Sequence, residues 1–283
     1  VGGALYATRL QENKKVTPDD FHVTQQPKLD FYLSHYKANP EALREEDEVT
    51  LYRYSSCPYC GKVTTFLDYY HIPYKKVEVE PMFKSQISSH GYSKVPQLRV
   101  GGKDGPLMVD SDYIVSHLAP IVGADLNLPG VQQWRVWAKE VFVRHIVLNI
   151  NKSLSDAYQG YAYIDSFEDI PRANKWFLKI VGAPVMYMVA QTVTKKRLQR
   201  SDPNYNADRA VDEGLLLEVE RWMKEGVADS PFHGGDEPSL ADLEVRGILH
   251  AMQGHIVYQQ LLEDCPSLRD WLQRVDSRMS SEK

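Results

Sequence analysis

The chain has 283 residues, 43% hydrophobic and 25% charged, with a net charge of −5. That length fits one large domain or two ordinary ones, and it offers ample apolar material for a core. The acidic balance excludes a protein built to coat nucleic acid, which carries a basic domain or stripe, and three cysteines in so long a chain exclude a disulfide scaffold.

The first residues, Val1-Gly2-Gly3-Ala4-Leu5-Tyr6-Ala7, are small and apolar. They read as a disordered start or as the tail of a membrane span or targeting segment, although so short a run falls far below the ~20 residues a spanning helix needs. Residues 8–47 are polar and punctuated by Pro18, Pro27 and Pro40. They read as an arm or linker in which Leu29 to Tyr36 is apolar enough to dock on something. Residues 1–48 are therefore expected to be an N-terminal arm.

From Val49 the pattern changes. Val49-Thr50-Leu51-Tyr52-Arg53 alternates as a short strand, and Val63, Phe66, Leu67 and Tyr70 recur at helical spacing after Cys57-Pro58-Tyr59-Cys60. Tyr74 to Val79 alternates as a second strand, and residues 82–92 suggest a short irregular helix. Val95 to Val100 reads as a third strand. Gly101-Gly102-Lys103-Asp104-Gly105 signals a hairpin turn before the return strand Leu107-Met108-Val109. Asp110-Ser111 then starts a helix with Ile114, Val115 and Leu118 on one face. The order βαβ, helix, ββα resembles a thioredoxin/glutaredoxin-like domain over residues 49–123.

Beyond Gly123 the strand signals stop. Residues 131–152, 173–199, 207–225, 239–252 and 266–279 show helical periodicity. The fold class expected is thus α/β plus all-α, with a helical C-terminal domain over 131–279. The most apolar segment, Trp176 to Val193, is broken by Lys179, Gly182, Pro184 and Gln191. It is read as a buried helix rather than a membrane span.

Cys57 carries the chemistry. A cysteine at a helix N-terminus faces backbone N–H groups with no partner, and the positive end of the helix dipole favours its thiolate. Pro58 suits the first helical position. Cys60 lies one turn later as a resolving thiol. The other readings of the pair are a structural couple or half a zinc site, and no second cysteine pair completes the latter. Tyr54 stands three residues before Cys57, where a hydroxyl reaches a ligand at the thiol or simply packs. Val95-Pro96 occupies the place where a thioredoxin-like fold has a cis-proline, exposing the Val95 backbone to pair with a glutathione cysteinyl group. Asp110-Ser111 offers a capped helix start that suits a γ-glutamyl carboxylate. Ser239-Leu240-Ala241-Asp242 is a capping box with a structural role, of the kind found in the core helix of the glutathione-transferase α-domain.

Together these residues are similar to the membrane-associated prostaglandin E synthase type 2 family. The likeness runs through Leu51 to Val63, Phe66-Leu67-Asp68, Ile72-Pro73-Tyr74, Val77-Glu78-Val79 and Tyr92 to Pro96. It continues in Trp134 to Ala138, Gly182 to Tyr187 and Pro231 to Gly235, then into Ser239 to Leu243. The resemblance implies a glutathione-transferase architecture with a glutaredoxin-like N-domain. It implies glutathione held by Tyr54, Cys57, Tyr59, Cys60, Val95, Pro96, Asp110 and Ser111, and a glutathione–haem complex as in mammalian members. Isomerisation of prostaglandin H2 to prostaglandin E2 is the activity it implies. It further implies a lipid-like substrate, association with a mitochondrial or Golgi membrane through the arm, and leaves a homodimer open; a cytoplasmic location is the alternative. Tyr59 stands where the family often has Phe, and Val189 to Thr194 replaces a basic, histidine-bearing stretch. The competing functions are a non-catalytic assembly subunit of a mitochondrial membrane complex and a dithiol oxidoreductase.

Overall fold

In the computed structural model, which describes residues 15–81, 83–160, 175 and 178–280, the chain divides into units of Val1–Leu126 and Asn127–Lys283. Among the described residues, the stretch read as an arm is helical from Pro18. Residues Pro18–Ala38 form a helix, α1, and Pro40–Arg44 a short 3-10 turn. Thr17 caps α1 with a reciprocal box: its side chain accepts from the Asp20 N–H at 3.2 Å, and Asp20 accepts from the Thr17 N–H. Pro18 at the first helical position needs no donor. Phe21, Leu29, Leu33 and Tyr36 are buried, so the arm expected from the sequence is a packed element from Pro18 onward. The small apolar start at residues 1–7 lies outside the described residues.

The sheet is built from β1 (Val49–Arg53), β2 (Lys75–Glu78), β3 (Gln97–Val100) and β4 (Leu107–Val109), in the order β2-β1-β3-β4. β1 and β2 are parallel, so a crossover must join them, and α2 (Pro58–Tyr69) supplies it. β3 runs antiparallel to both β1 and β4. Val49, Leu51, Leu98, Val100 and Met108 are fully buried together with Val63 and Leu67 of α2. So are Ile114, Val115 and Leu118 of α3 (Ser111–Leu118). Helix α3 packs on α2, and α1 packs on β4. Gly101, at the β3–β4 turn, has φ +83°, and a Cβ there would lie 2.2 Å from the Tyr32 ring of α1. Glycine is required on both grounds.

The second unit is helical. α4 (Val131–Trp137) continues through a π-helical turn, Ala138–Phe142, into α5 (Val143–Asn149). Then come α6 (Leu154–Gly160), α7 (Ala183–Val189), α8 (Lys195–Ser201), α9 (Val211–Arg221), α10 (Leu240–His250), α11 (Ile256–Asp264) and α12 (Pro266–Ser280). α6 and α11 were not anticipated by the periodicity. Trp134, Trp137, Trp222 and Trp271 form the centre, with ring centroids 5.0 Å apart for Trp134–Trp137, 5.1 Å for Trp134–Trp222 and 5.8 Å for Trp222–Trp271. The Ser239–Asp242 capping box forms at the start of α10, the structural role its sequence implies.

One expectation fails here. The apolar segment before Val193 is not a buried helix over its described length: Val181, Val185, Met188, Val189 and Val193 are exposed, Met188 to 59%. Of the described residues there, only Ala183 and Ala190 are fully buried, because an amphipathic helix seats just one face and the small residues lie at its centre. Trp176 and Phe177 lie outside the described residues. Among the described residues no helix is long and apolar enough to cross a membrane.

Candidate functional site

Sheet register brings the candidate residues to one end of the first unit. Tyr52, near the end of β1, faces Gln97 at the start of β3, and Gln97 faces Val109 at the end of β4. The loop carrying Cys57 leaves β1, Val95-Pro96 leads into β3, and Asp110-Ser111 follows β4. All three therefore emerge from the same end of the sheet. The Val95-Pro96 peptide bond is cis.

Glu78 fixes the loop before Cys57. It lies at the end of β2, where its Oε1 receives the Arg53 Nε at 2.7 Å and its Oε2 receives the Ser55 N–H at 3.0 Å. Arg53 also donates to Thr64 Oγ1 of α2 at 3.2 Å. One carboxylate thus ties the strand end, the loop and, through Arg53, the helix. Glu78 was not singled out in the sequence, where it stands as one acid in a strand of mixed charge. The loop turns on the Cys57 N–H, which donates to the Tyr54 carbonyl at 3.1 Å. This places the Tyr54 backbone at the site, and the Tyr54 side chain is half-buried.

Cys57 is the N-cap of α2, with φ −89° and ψ 120°, and Pro58 takes the first helical position. The Cys57 carbonyl accepts from Gly61 N–H at 2.9 Å, closing the first turn. Its side chain is half-buried, and Cys60 is buried; both are free thiols. The Cys60 thiol donates a hydrogen bond that holds the Cys57 thiol below its ordinary pKa; burial opposes this, while the Cys60 and Tyr59 backbone N–H groups assist. Cys60 moves the opposite way, raised by burial and then by its bond to Cys57 and the charge there. The pair thus favours a thiolate at Cys57 and a protonated thiol at Cys60. Alkylation of the protein by iodoacetamide should therefore modify Cys57 first, with a rate midpoint below the ~8.5 of a free thiol, as followed by mass spectrometry of the two peptides. The rate should fall as acid protonates the thiolate.

At α3 the structure changes one detail. Asp110, not Ser111, is the N-cap: its Oδ1 accepts from the N–H groups of Asp112 at 3.0 Å and Tyr113 at 3.3 Å. Ser111 is the first helical residue and is buried. Asp110 has φ +71°, a conformation that costs a non-glycine residue about 1–3 kcal/mol and persists only where its surroundings enforce it. Asp112 pairs with the fully buried Lys62 of α2, so the two helix starts are locked together. Among the described residues no cluster of metal-ligating side chains is found.

Residues 49–104 match the family model of glutaredoxin. Prostaglandin E synthase 2 of Danio rerio is 27% identical over an alignment covering 87% of this chain and 75% of its own. The Mus musculus protein of the same name is also 27% identical, over 81% of this chain and 70% of its own. Among solved structures, glutathione transferase GSTFuA3 from Phanerochaete chrysosporium superposes with a TM-score of 0.54 at 12% identity, over 84% of this chain and 100% of that one. Glutathione S-transferase CsGST63524 of Ceriporiopsis subvermispora, in complex with glutathione, gives 0.53 at 14% identity, over 83% and 98%. The chain thus has the glutathione-transferase fold with a glutaredoxin domain in its first unit, and it is similar over most of its length to prostaglandin E synthase 2.

Proposed function

We propose that the chain binds glutathione at the Cys57 end of the first unit and performs glutathione-dependent thiol chemistry there. The observation that carries this is the pairing of a half-buried Cys57, at a helix N-terminus with a depressed pKa, with a buried and protonated Cys60. A glutathione-bound structure of the same fold supports it. On this reading Cys57 holds or meets the sulfur, Val95-Pro96 and Tyr59 border the cysteinyl part, and Ser111 with the start of α3 receives the γ-glutamyl group. The Asp110 oxygen named above is already engaged in capping, so its contribution is to shape that turn.

The name of the curated relatives supports an endoperoxide substrate and isomerisation of prostaglandin H2 to prostaglandin E2. A thiolate attacks the peroxide oxygen on the carbon that becomes the ketone. The O–O bond breaks, and the other oxygen leaves as an alkoxide and takes up a proton. Loss of the carbon-bound proton then forms C=O and expels the thiolate. No oxidant or reductant is consumed. Dithiol exchange is the second reading. It requires Cys60 as an attacking thiolate, and the raised pKa of Cys60 disfavours that. No step is routed through haem: Val189-Ala190-Gln191-Thr192-Val193-Thr194, standing where the family has a histidine-bearing stretch, offers no iron-ligating side chain.

Calorimetric titration with glutathione, with and without haem, tests the proposal. Saturable binding of one glutathione per chain, unchanged by haem, is the expected result. A flat isotherm would sink the reading.

A further inference from the structure

Resting on the glutathione reading, we infer that His22, on the helix that precedes the glutaredoxin domain, is a positioning residue for the glutathione site and makes its affinity sensitive to acid.

His22 lies on α1, is 5% exposed, and its Nε2 accepts the Val109 N–H at 3.1 Å. β4 is an outer strand, so an N–H turned away from β3 needs a partner from elsewhere. Val109 is the residue immediately before Asp110. The left-handed Asp110 turn is thus held from both sides: downstream by its own capping bonds to α3, and upstream by an imidazole from a separate element. The same ring stacks on Tyr113 of α3 with centroids 3.5 Å apart and planes at 15°. Tyr113 in turn stacks on His117 at 3.8 Å and 22°. His22 therefore grips both ends of the segment Val109–Tyr113, whose middle, Asp110-Ser111, is the proposed γ-glutamyl seat.

Only an unprotonated Nε2 can accept. Protonation would place an N–H against the Val109 N–H. The groups facing His22 are His117 and Tyr113 on α3, Asp110 at the turn and Asp19 on α1. Burial, then His117, push the His22 pKa below its ordinary value, against the opposing pull of Asp110, Asp19 and the backbone hydrogen bond with Val109. The bond is therefore intact at neutral pH and is lost as pH falls through that lowered value.

The probe is S-methylglutathione, whose blocked sulfur cannot titrate, measured by calorimetry from about pH 7.5 to about pH 4.5. Wild type should weaken as the solution becomes acidic. His22→Gln places an acceptor at a similar reach without a titrating ring; it should bind nearly as wild type at neutral pH and lose the acid dependence. His22→Ala should bind roughly fivefold to tenfold more weakly at neutral pH, the loss expected for one neutral hydrogen bond. An Ala variant that binds like wild type, or a Gln variant that follows the wild-type pH course, overturns the inference. Hydrogen exchange of the Val109 amide, read without ligand, separates the two claims. If wild type binds no S-methylglutathione, the functional reading fails and this inference with it, while exchange still reports the anchor. If that amide exchanges no faster in His22→Ala than in wild type, the inference fails even where glutathione binds. Should the Ala variant not fold, the Gln variant alone decides on the pH course.

Discussion

Cys57→Ser should abolish thiol-dependent turnover, by at least on the order of 100-fold, while leaving the protein folded. The reasoning starts from ionisation. On the proposed function Cys57 reacts as the anion that the Cys60 thiol and two backbone N–H groups stabilise, and a serine hydroxyl does not ionise in the same range. The fold should survive because serine is a favoured N-cap residue and differs from cysteine by one atom. Cys60→Ala separates nucleophile from donor. It removes the hydrogen bond that contributes most to depressing the Cys57 pKa, so that pKa rises and the rate profile moves to higher pH, with activity recoverable there. Initial rates across pH, with circular dichroism as the folding control, check both variants. Full activity in the serine variant would show that the reacting sulfur is elsewhere.

The largest effect on stability is expected at Asp242 in the second unit. Its carboxylate is fully buried and collects four donors. Oδ2 takes the Ser239 N–H and hydroxyl, each at 2.8 Å; Oδ1 takes the His233 N–H and the Trp271 Nε1, each at 3.0 Å. It therefore joins the start of α10, the loop carrying His233 and α12. Asp242→Ala strands those donors in the core. An unsatisfied buried group costs about 1–3 kcal/mol, and neighbouring losses do not simply add, so about 3–5 kcal/mol is expected. Domain stabilities run to about 5–15 kcal/mol, so this one change removes a large share. Asp242→Asn keeps an acceptor for one pair and should cost less. Urea unfolding followed by tryptophan fluorescence reads both, because Trp271 is itself a partner. A loss below ~1 kcal/mol for the alanine variant would refute this account.

Local signals carried most of the fold. The cysteine motif at the start of α2, the Gly101-Gly102 turn, the short β-rich runs and the Ser239–Asp242 box are all short-range patterns, and each corresponds to an element of the structure. What stayed illegible depends on partners far along the chain. Thr17-Pro18-Asp19-Asp20 is a helix start in plain view, yet the prolines around it look like breaks. What seats α1 is β4, and the His22–Val109 bond spans 87 positions. The positive φ of Asp110 leaves no mark in its residue type, so Ser111 seemed the natural cap. Glu78 clamps Arg53 and Ser55 only once β2 lies beside β1. In the segment before Val193, hydrophobicity is easy to see, but which face it turns outward is not.

The seating of α1 on β4 also bears on how the glutaredoxin part can be isolated. A strand with unpaired N–H and C=O groups along one side is a template on which other chains assemble. The family-model match begins at residue 49, after α1 has ended. A fragment cut at that boundary would bare both the Val109 donor and the apolar surface of Tyr92, Leu107 and Val109 that Phe21 covers, inviting intermolecular pairing. An excised unit that retains residues from Thr17 carries its own shield against aggregation.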